Sequence, residues 1–260
     1  MKAQSVFPLL LSFVYLSVFA QQIPSEAKNS QQGINKKRLA LVIGNSNYAQ
    51  GEKWPTAVND ANDVTQALQK INFEVLLSTD ADKATMQTAI NDFIGKLKDK
   101  EVGLVYYSGG SATIGSEQFL MPTDAHPATI AETETSCLPV KSIADAMTAV
   151  KTKIIILDSD RTNPFSERIT WRSADGIHSM NADVGFVMAY ATSPGRQVIR
   201  TTDRNSLYTS AFTKAIGVPN KSIAQVFNII REDVMKQSNY KQMPWESTSL
   251  TGDFYFQPTN

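Results

Sequence analysis

The sequence predicts an α/β fold, a mostly parallel sheet with helices on both faces, and three observations carry that prediction. Short continuous apolar runs rich in β-branched residues recur along the chain, as strands covered on both faces require. Between them, apolar residues return at helical spacing. The two kinds of segment alternate rather than cluster, which is the order that builds βα units.

Taken in order, Leu39 to Ile43 is the first strand, ended by Gly44-Asn45. Val58, Ala61, Val64, Leu68 and Ile71 mark a helix, followed by a strand over Phe73 to Leu77 and a helix with Met86, Ile90, Phe93, Ile94 and Leu97 on one face. A third strand, Val102 to Tyr107, breaks at Ser108-Gly109-Gly110-Ser111. After the short run Phe119-Leu120-Met121, the stretch containing Thr129, Glu132, Thr133 and Glu134 reads as a surface loop. Ile143, Met147 and Val150 mark a helix feeding the strand Lys153 to Leu157, which stops at Asp158. A strand over Phe186 to Ala191, a helix over Leu207 to Ile216 and a longer helix through Ile223, Phe227, Ile230 and Val234 complete the pattern, the last with Ser222 and Gln225 as a capping box. Phe254-Tyr255-Phe256 reads as a closing strand. Ligands gather at strand C-terminal ends in open α/β sheets, so 108–111 and 158–161 are where chemistry is expected.

With 260 residues, 42% hydrophobic and 19% charged, the chain suits one domain with a sizeable core. Lys plus Arg (25) equals Asp plus Glu (25), so no basic surplus exists to neutralise phosphates, which argues against a nucleic-acid partner. Lys2, an apolar run from Val6 to Phe19 and the small residues of Val18-Phe19-Ala20 form a signal-peptide pattern. Residues 1–20 are therefore expected to be removed, 21–36 to be a polar linker, and 37–257 to be the folded domain, exported to the periplasm or medium with no membrane span after signal removal. The single cysteine, Cys137, excludes an intrachain disulfide.

Several stretches together resemble the caspase-like domain of bacterial metacaspase relatives. They are Arg38 to Tyr48, Asn59-Asp60-Ala61, Tyr106-Tyr107-Ser108-Gly109, Asp158 to Phe165, Ala191 to Gly195, Arg204-Asn205-Ser206 and Pro244 to Phe256. The resemblance implies the caspase-hemoglobinase fold and cysteine-peptidase chemistry. It places the catalytic histidine after the third strand and the nucleophilic cysteine after the fourth. Those positions hold Gly110 and Asp160, and the chain's only histidines are His126 and His178. Peptide cleavage by this chemistry needs a thiolate to attack and an imidazole to protonate the leaving amine, so the reading is a catalytically inactive relative. By the same resemblance Asp60 and Asp158 line a pocket for Arg or Lys, with Ser108, Gly109 and Ser193 at its edge. Asp160 adds a third carboxylate unless Arg161 folds over to neutralise it.

Each candidate has a plainer alternative. Asp158 is equally a structural carboxylate at a strand end, and Asp60 a helix first-turn acid favoured by the dipole. Ser108, Ser111 and Ser159 suggest a serine hydrolase, but no base is placed beside them. A relocated Cys137–His126 dyad is conceivable. His178 reads as a loop residue, and Trp171 and Trp245 as packing residues. The acids at 60, 63, 158 and 160 offer calcium a site without any calcium-loop signature, so no cofactor is expected. The expected partner is a basic peptide segment or a protein, an active relative among the candidates. The alternatives are a hydrolase with a non-standard nucleophile, and a structural module forming homodimers across an edge strand.

Overall fold

Because Leu39 to Ile43 is apolar at every position, the strand it forms can be buried on both faces, and it becomes the organising strand of the sheet. In the computed structural model, which describes residue 1 and residues 37–51, 53–165 and 184–258, β1 spans Arg38–Gly44 and lies between β2 (Glu74–Thr79) and β3 (Val102–Ser108). β7 (Thr152–Asp158), β8 (Phe186–Tyr190) and β9 (Trp245–Thr248) extend it to the order β2-β1-β3-β7-β8-β9. Every pairing is parallel except β8 with β9. Residues 2–20 of the expected signal peptide, the whole linker over 21–36, Trp171 and His178 lie outside the described residues. No described helix is long and apolar enough to cross a membrane.

Alternation along the strands divides the core in two. Ala40, Val42, Leu104, Tyr106, Ile154 and Ile156 face one side, with residues of α1 (Ala57–Lys70), α5 (Leu207–Ala215) and α6 (Ile223–Gln237). Leu39, Leu41, Ile43, Val105, Tyr107, Ile155 and Leu157 face the other, with residues of α2 (Lys83–Lys96) and α4 (Val140–Ala146). Each fully buried aliphatic side chain contributes roughly 1.5–3 kcal/mol, and these two layers hold the fold without a disulfide. Gly44 allows α1 to close onto β1: a Cβ there would stand 2.3 Å from the Ala57 carbonyl oxygen.

Three expectations from the sequence are corrected. The stretch read as a surface loop contains α3 (Ile130–Ser136), because Thr129 Oγ1 caps Glu132 N–H at 3.2 Å while the Glu132 carboxylate accepts from Ala128 N–H at 2.7 Å. Phe254-Tyr255-Phe256 is not a strand. Arg38 takes the carbonyls of Tyr255 and Phe256 at 3.1 and 2.6 Å, and only an isolated bridge joins Tyr255 to Ser222. The closing strand is instead β9, whose mixed polar residues carry no strong strand pattern. Finally, Ser111 does not merely end a break: it opens β4 (Ser111–Ile114), which pairs antiparallel with β5 (Glu117–Leu120), itself paired with β6 (Leu138–Pro139). The capping box of α6, Ser222 with Gln225, forms as the spacing predicts.

Candidate functional site

Parallel strands in register end side by side, so Ser108 at the end of β3 pairs with Asp158 at the end of β7. Asp60, one turn into α1, joins them from the flanking helix and accepts from Ser108 Oγ at 3.0 Å. The N-terminus of α5 closes the cluster. Ser206 N–H donates to one Asp60 oxygen at 2.9 Å, and Asn205 Nδ2 reaches the same oxygen at 3.2 Å. The Ser206 hydroxyl bonds Asp158, with Thr209 Oγ1 at 2.8 Å and the Tyr106 hydroxyl at 3.4 Å. Both carboxylates are almost wholly buried, at 0% and 1% exposure.

Burial disfavours charge, and two buried carboxylates disfavour each other's. The Asp60 carboxyl is accordingly pushed up to about 7, by burial first and then by the charge on Asp158, against hydrogen bonds from Ser206, Thr56 and Asn205. Burial also raises Asp158, while the hydroxyls of Ser206, Thr209 and Tyr106 and the Arg200 guanidinium pull the other way. Asp60 therefore takes up a proton as pH falls through about 7, and two full charges on the pair are disfavoured.

A recess of about 270 Å³, counting its open mouth, reaches Asp158 and is lined by Trp54, Ser108, Arg200 and Ser206 among others. Asp60, expected to line it, is not among the lining residues: it is wholly buried behind Ser108 and Ser206. Asp160 stands beside the recess, but its partner is not Arg161. Arg200 binds the Asp160 carboxylate through both terminal nitrogens, at 3.1 and 3.0 Å, and Val198 N–H adds a bond of 2.8 Å. Arg161 turns away, its guanidinium 3.6 Å from the Tyr190 ring centroid and 3.5 Å from the Thr192 carbonyl. The expected neutralisation occurs, with a different arginine, because the loop after β8 folds back across the ends of β3 and β7.

Other candidates fall elsewhere. Gly109, at φ +152°, is a turn whose Cβ would meet Tyr48 and Tyr107 hydroxyls at 2.7 and 2.8 Å, so its role is to let the strand end approach those rings. Ser193 is not among the lining residues; its hydroxyl ties its loop to the Met243 carbonyl at 3.2 Å. Gly110 donates its N–H to Tyr48 Oη at 2.7 Å. Ser111 and Gln118 both donate to the Asp160 carbonyl, at 2.7 and 2.8 Å, and Gln118 also reaches Ser159 Oγ at 3.2 Å, so these serines brace the loop. The Cys137 thiol is buried, raised by that burial, and bonded to Ser136 Oγ at 3.8 Å. His126 is exposed, set against Gly51, and makes no hydrogen bond to that thiol. Asp63 is engaged by Arg204 at 2.8 and 2.9 Å. Among the described residues no group of three or more His, Cys, Asp or Glu is placed to hold a metal ion.

Trp54, Arg200, Ser206 and Thr209 are the site residues that sequence reasoning missed. Ser206 stood within a recognised stretch without a role, and nothing in the local pattern around Trp54 or Arg200 distinguished them.

The Caspase domain profile matches residues 37–255, all but the ends of the chain. The chain belongs to the caspase domain family. Mucosa-associated lymphoid tissue lymphoma translocation protein 1 of Homo sapiens is 25% identical over 218 residues, covering 82% of this chain and 25% of that protein. Its homolog in Mus musculus is 25% identical over 219 residues, with the same shares covered. The chain thus spans about a quarter of the length of these curated relatives. Caspase-1 from Spodoptera frugiperda superposes with a TM-score of 0.64 at 15% identity, covering 86% of this chain and 91% of that one, a likeness of fold. In this caspase domain, the acid pair and Arg200 gather where β3, β7 and α5 converge.

Proposed function

We propose that this caspase-family chain is a catalytically inactive relative of the metacaspase kind that acts by binding basic peptide segments, on a partner protein or an active relative. The observation that carries the reading is the pair of residues at the two strand ends. Gly110 offers no side chain to protonate a leaving amine, and Asp160 is a poor nucleophile toward an amide and is already engaged by Arg200. The chain's one thiol is buried in a separate cluster with Phe119 and Ala125. Removing either half of such a catalytic unit costs several powers of ten in rate.

The buried carboxylates support recognition of Arg or Lys, since Asp158 lines a recess with an open mouth and Asp60 stands behind its Ser108 and Ser206 walls. Export through the N-terminal signal would make extracellular or periplasmic segments the natural ligands. No cofactor is part of this reading. One observation favours a rival hydrolase: a carboxyl pushed up to about 7 beside a second acid can hold and release protons at neutral pH.

Incubating the chain with Arg- and Lys-containing peptide libraries, with and without calcium, separates the two by mass spectrometry. Saturable binding without products supports the binding reading. Cleavage that disappears in Asp160→Ala or Asp60→Asn overturns it.

A further inference from the structure

The recess is not vacant. We propose that Arg200 is the chain's own occupant of the acid-bearing recess, an internal latch clasped by Asp160 that an incoming arginine side chain must displace. This rests on the basic-segment reading above and adds what controls access to that site.

Asp160 grips the strap formed by Val198 to Arg200 at two levels. Its carboxylate binds the Arg200 guanidinium through both terminal nitrogens, at 3.0 and 3.1 Å, and takes the Val198 backbone N–H at 2.8 Å. The Gln242 side chain pins the intervening residue, accepting from Ile199 N–H at 2.8 Å. The guanidinium carbon then sits over the Trp54 ring, 3.6 Å from its centroid, where a cation meets the aromatic face. Held there, Arg200 and Trp54 line the same recess as Asp158, Ser108 and Ser206, and the enclosed space left over holds about one water molecule. A second guanidinium has no room while the first is in place.

Charge and exposure agree with this assignment. Arg200 is the cation among the residues lining the recess, and its charge acts on Asp158 beneath it. The nearby Arg161 and Arg204 are committed elsewhere, to the Tyr190 ring and to Asp63. The Arg200 side chain is 32% exposed against 10% for Asp160, so the arginine can swing outward without opening the core while the acid stays behind to receive a replacement. The latch therefore selects ligands able to outcompete it: arginine-bearing segments with further contacts along the strap.

Isothermal titration at pH 8 with a capped tetrapeptide amide containing one arginine tests the latch. Apparent affinity falls by the fraction of molecules whose site is open, so Arg200→Ala is expected to bind about tenfold or more tightly than the unsubstituted chain. Arg200→Met, which keeps an apolar stem over Trp54, guards against a folding defect and should show the same gain. Adding Asp158→Asn to Arg200→Met should abolish it, and a glutamate peptide should show none. Equal binding by the unsubstituted chain and both variants would overturn the latch while leaving the basic-segment reading standing. No binding by any of them, with each shown folded by circular dichroism, would overturn both.

Discussion

Asp60→Asn isolates the acid pair. Asparagine keeps an oxygen to accept from Ser206 N–H and Asn205, and turns an amide toward Ser108 Oγ, which can accept from it, so the hydrogen bonds at 2.9, 3.2 and 3.0 Å have successors. What changes is the proton. An ordinary aspartate titrates at 3.8, and Asp60 is pushed up to about 7, so between those values the folded chain holds a proton that the unfolded chain lacks. A raised folded value means stability rises as pH falls through about 7 and levels off below the unfolded value. At about 1.4 kcal/mol per unit, going from pH 8 to pH 5 gains on the order of 2–3 kcal/mol from this group. Urea unfolding at unit intervals of pH across that range reads it directly. The unsubstituted chain should gain that much more than Asp60→Asn over the interval, the variant retaining only the slope due to Asp158 and other groups. Parallel curves would mean that Asp60 stays ionised despite its burial beside Asp158.

Other substitutions probe the frame that holds this pair. Gly44→Ala forces a Cβ to 2.3 Å from the Ala57 carbonyl and 2.6 Å from Ala61 Cβ, so it should cost at least about 2 kcal/mol and lower the melting temperature by several degrees. Gly110→His must displace Tyr48, Trp54 or Met121, whose nearest atoms stand 3.2 to 3.3 Å from the new Cβ; about 1–3 kcal/mol of lost stability in chemical denaturation is expected. Arg38→Met keeps the stem but removes two bonds to the carbonyls of Tyr255 and Phe256 and the stacking on Phe73 and Phe254, 5.5 and 5.4 Å away. A loss of about 2–3 kcal/mol should appear, with early proteolysis near Phe254 to Phe256, the C-terminal aromatic strap. Ser222→Ala removes the α6 cap and should cost about 1 kcal/mol in the same assay.

The agreement between pattern and fold is greatest where local periodicity and burial coincide. β1, β3 and β7 were readable because every residue in each run is apolar, or nearly so, and both sheet faces are covered. α6 was readable from its apolar stripe and its cap. α3 was not, because it is polar, short and held by capping rather than by an apolar face. β9 and the aromatic strap exchanged roles for a related reason: Phe254 and Phe256 pack edge-on at 5.1 Å in the core, while the mixed residues of Trp245–Thr248 take up pairing with β8 that the strap's burial leaves to them.

The candidate site divides in the same way. Residue identity alone places Gly110 and Asp160 at two strand ends and leaves one cysteine and two histidines in the whole chain, since those statements concern what each position holds. Chain order also marks Asp60 and Asp158 as acids near sheet ends. That they share a buried cluster, and that Ser206 bridges them, depends on α1 and α5 meeting over β3 and β7. That Asp160 is held by Arg200 rather than by its neighbour Arg161 follows from the path of one loop, forty residues further along, and charge balance between such distant positions is settled by packing rather than by spacing.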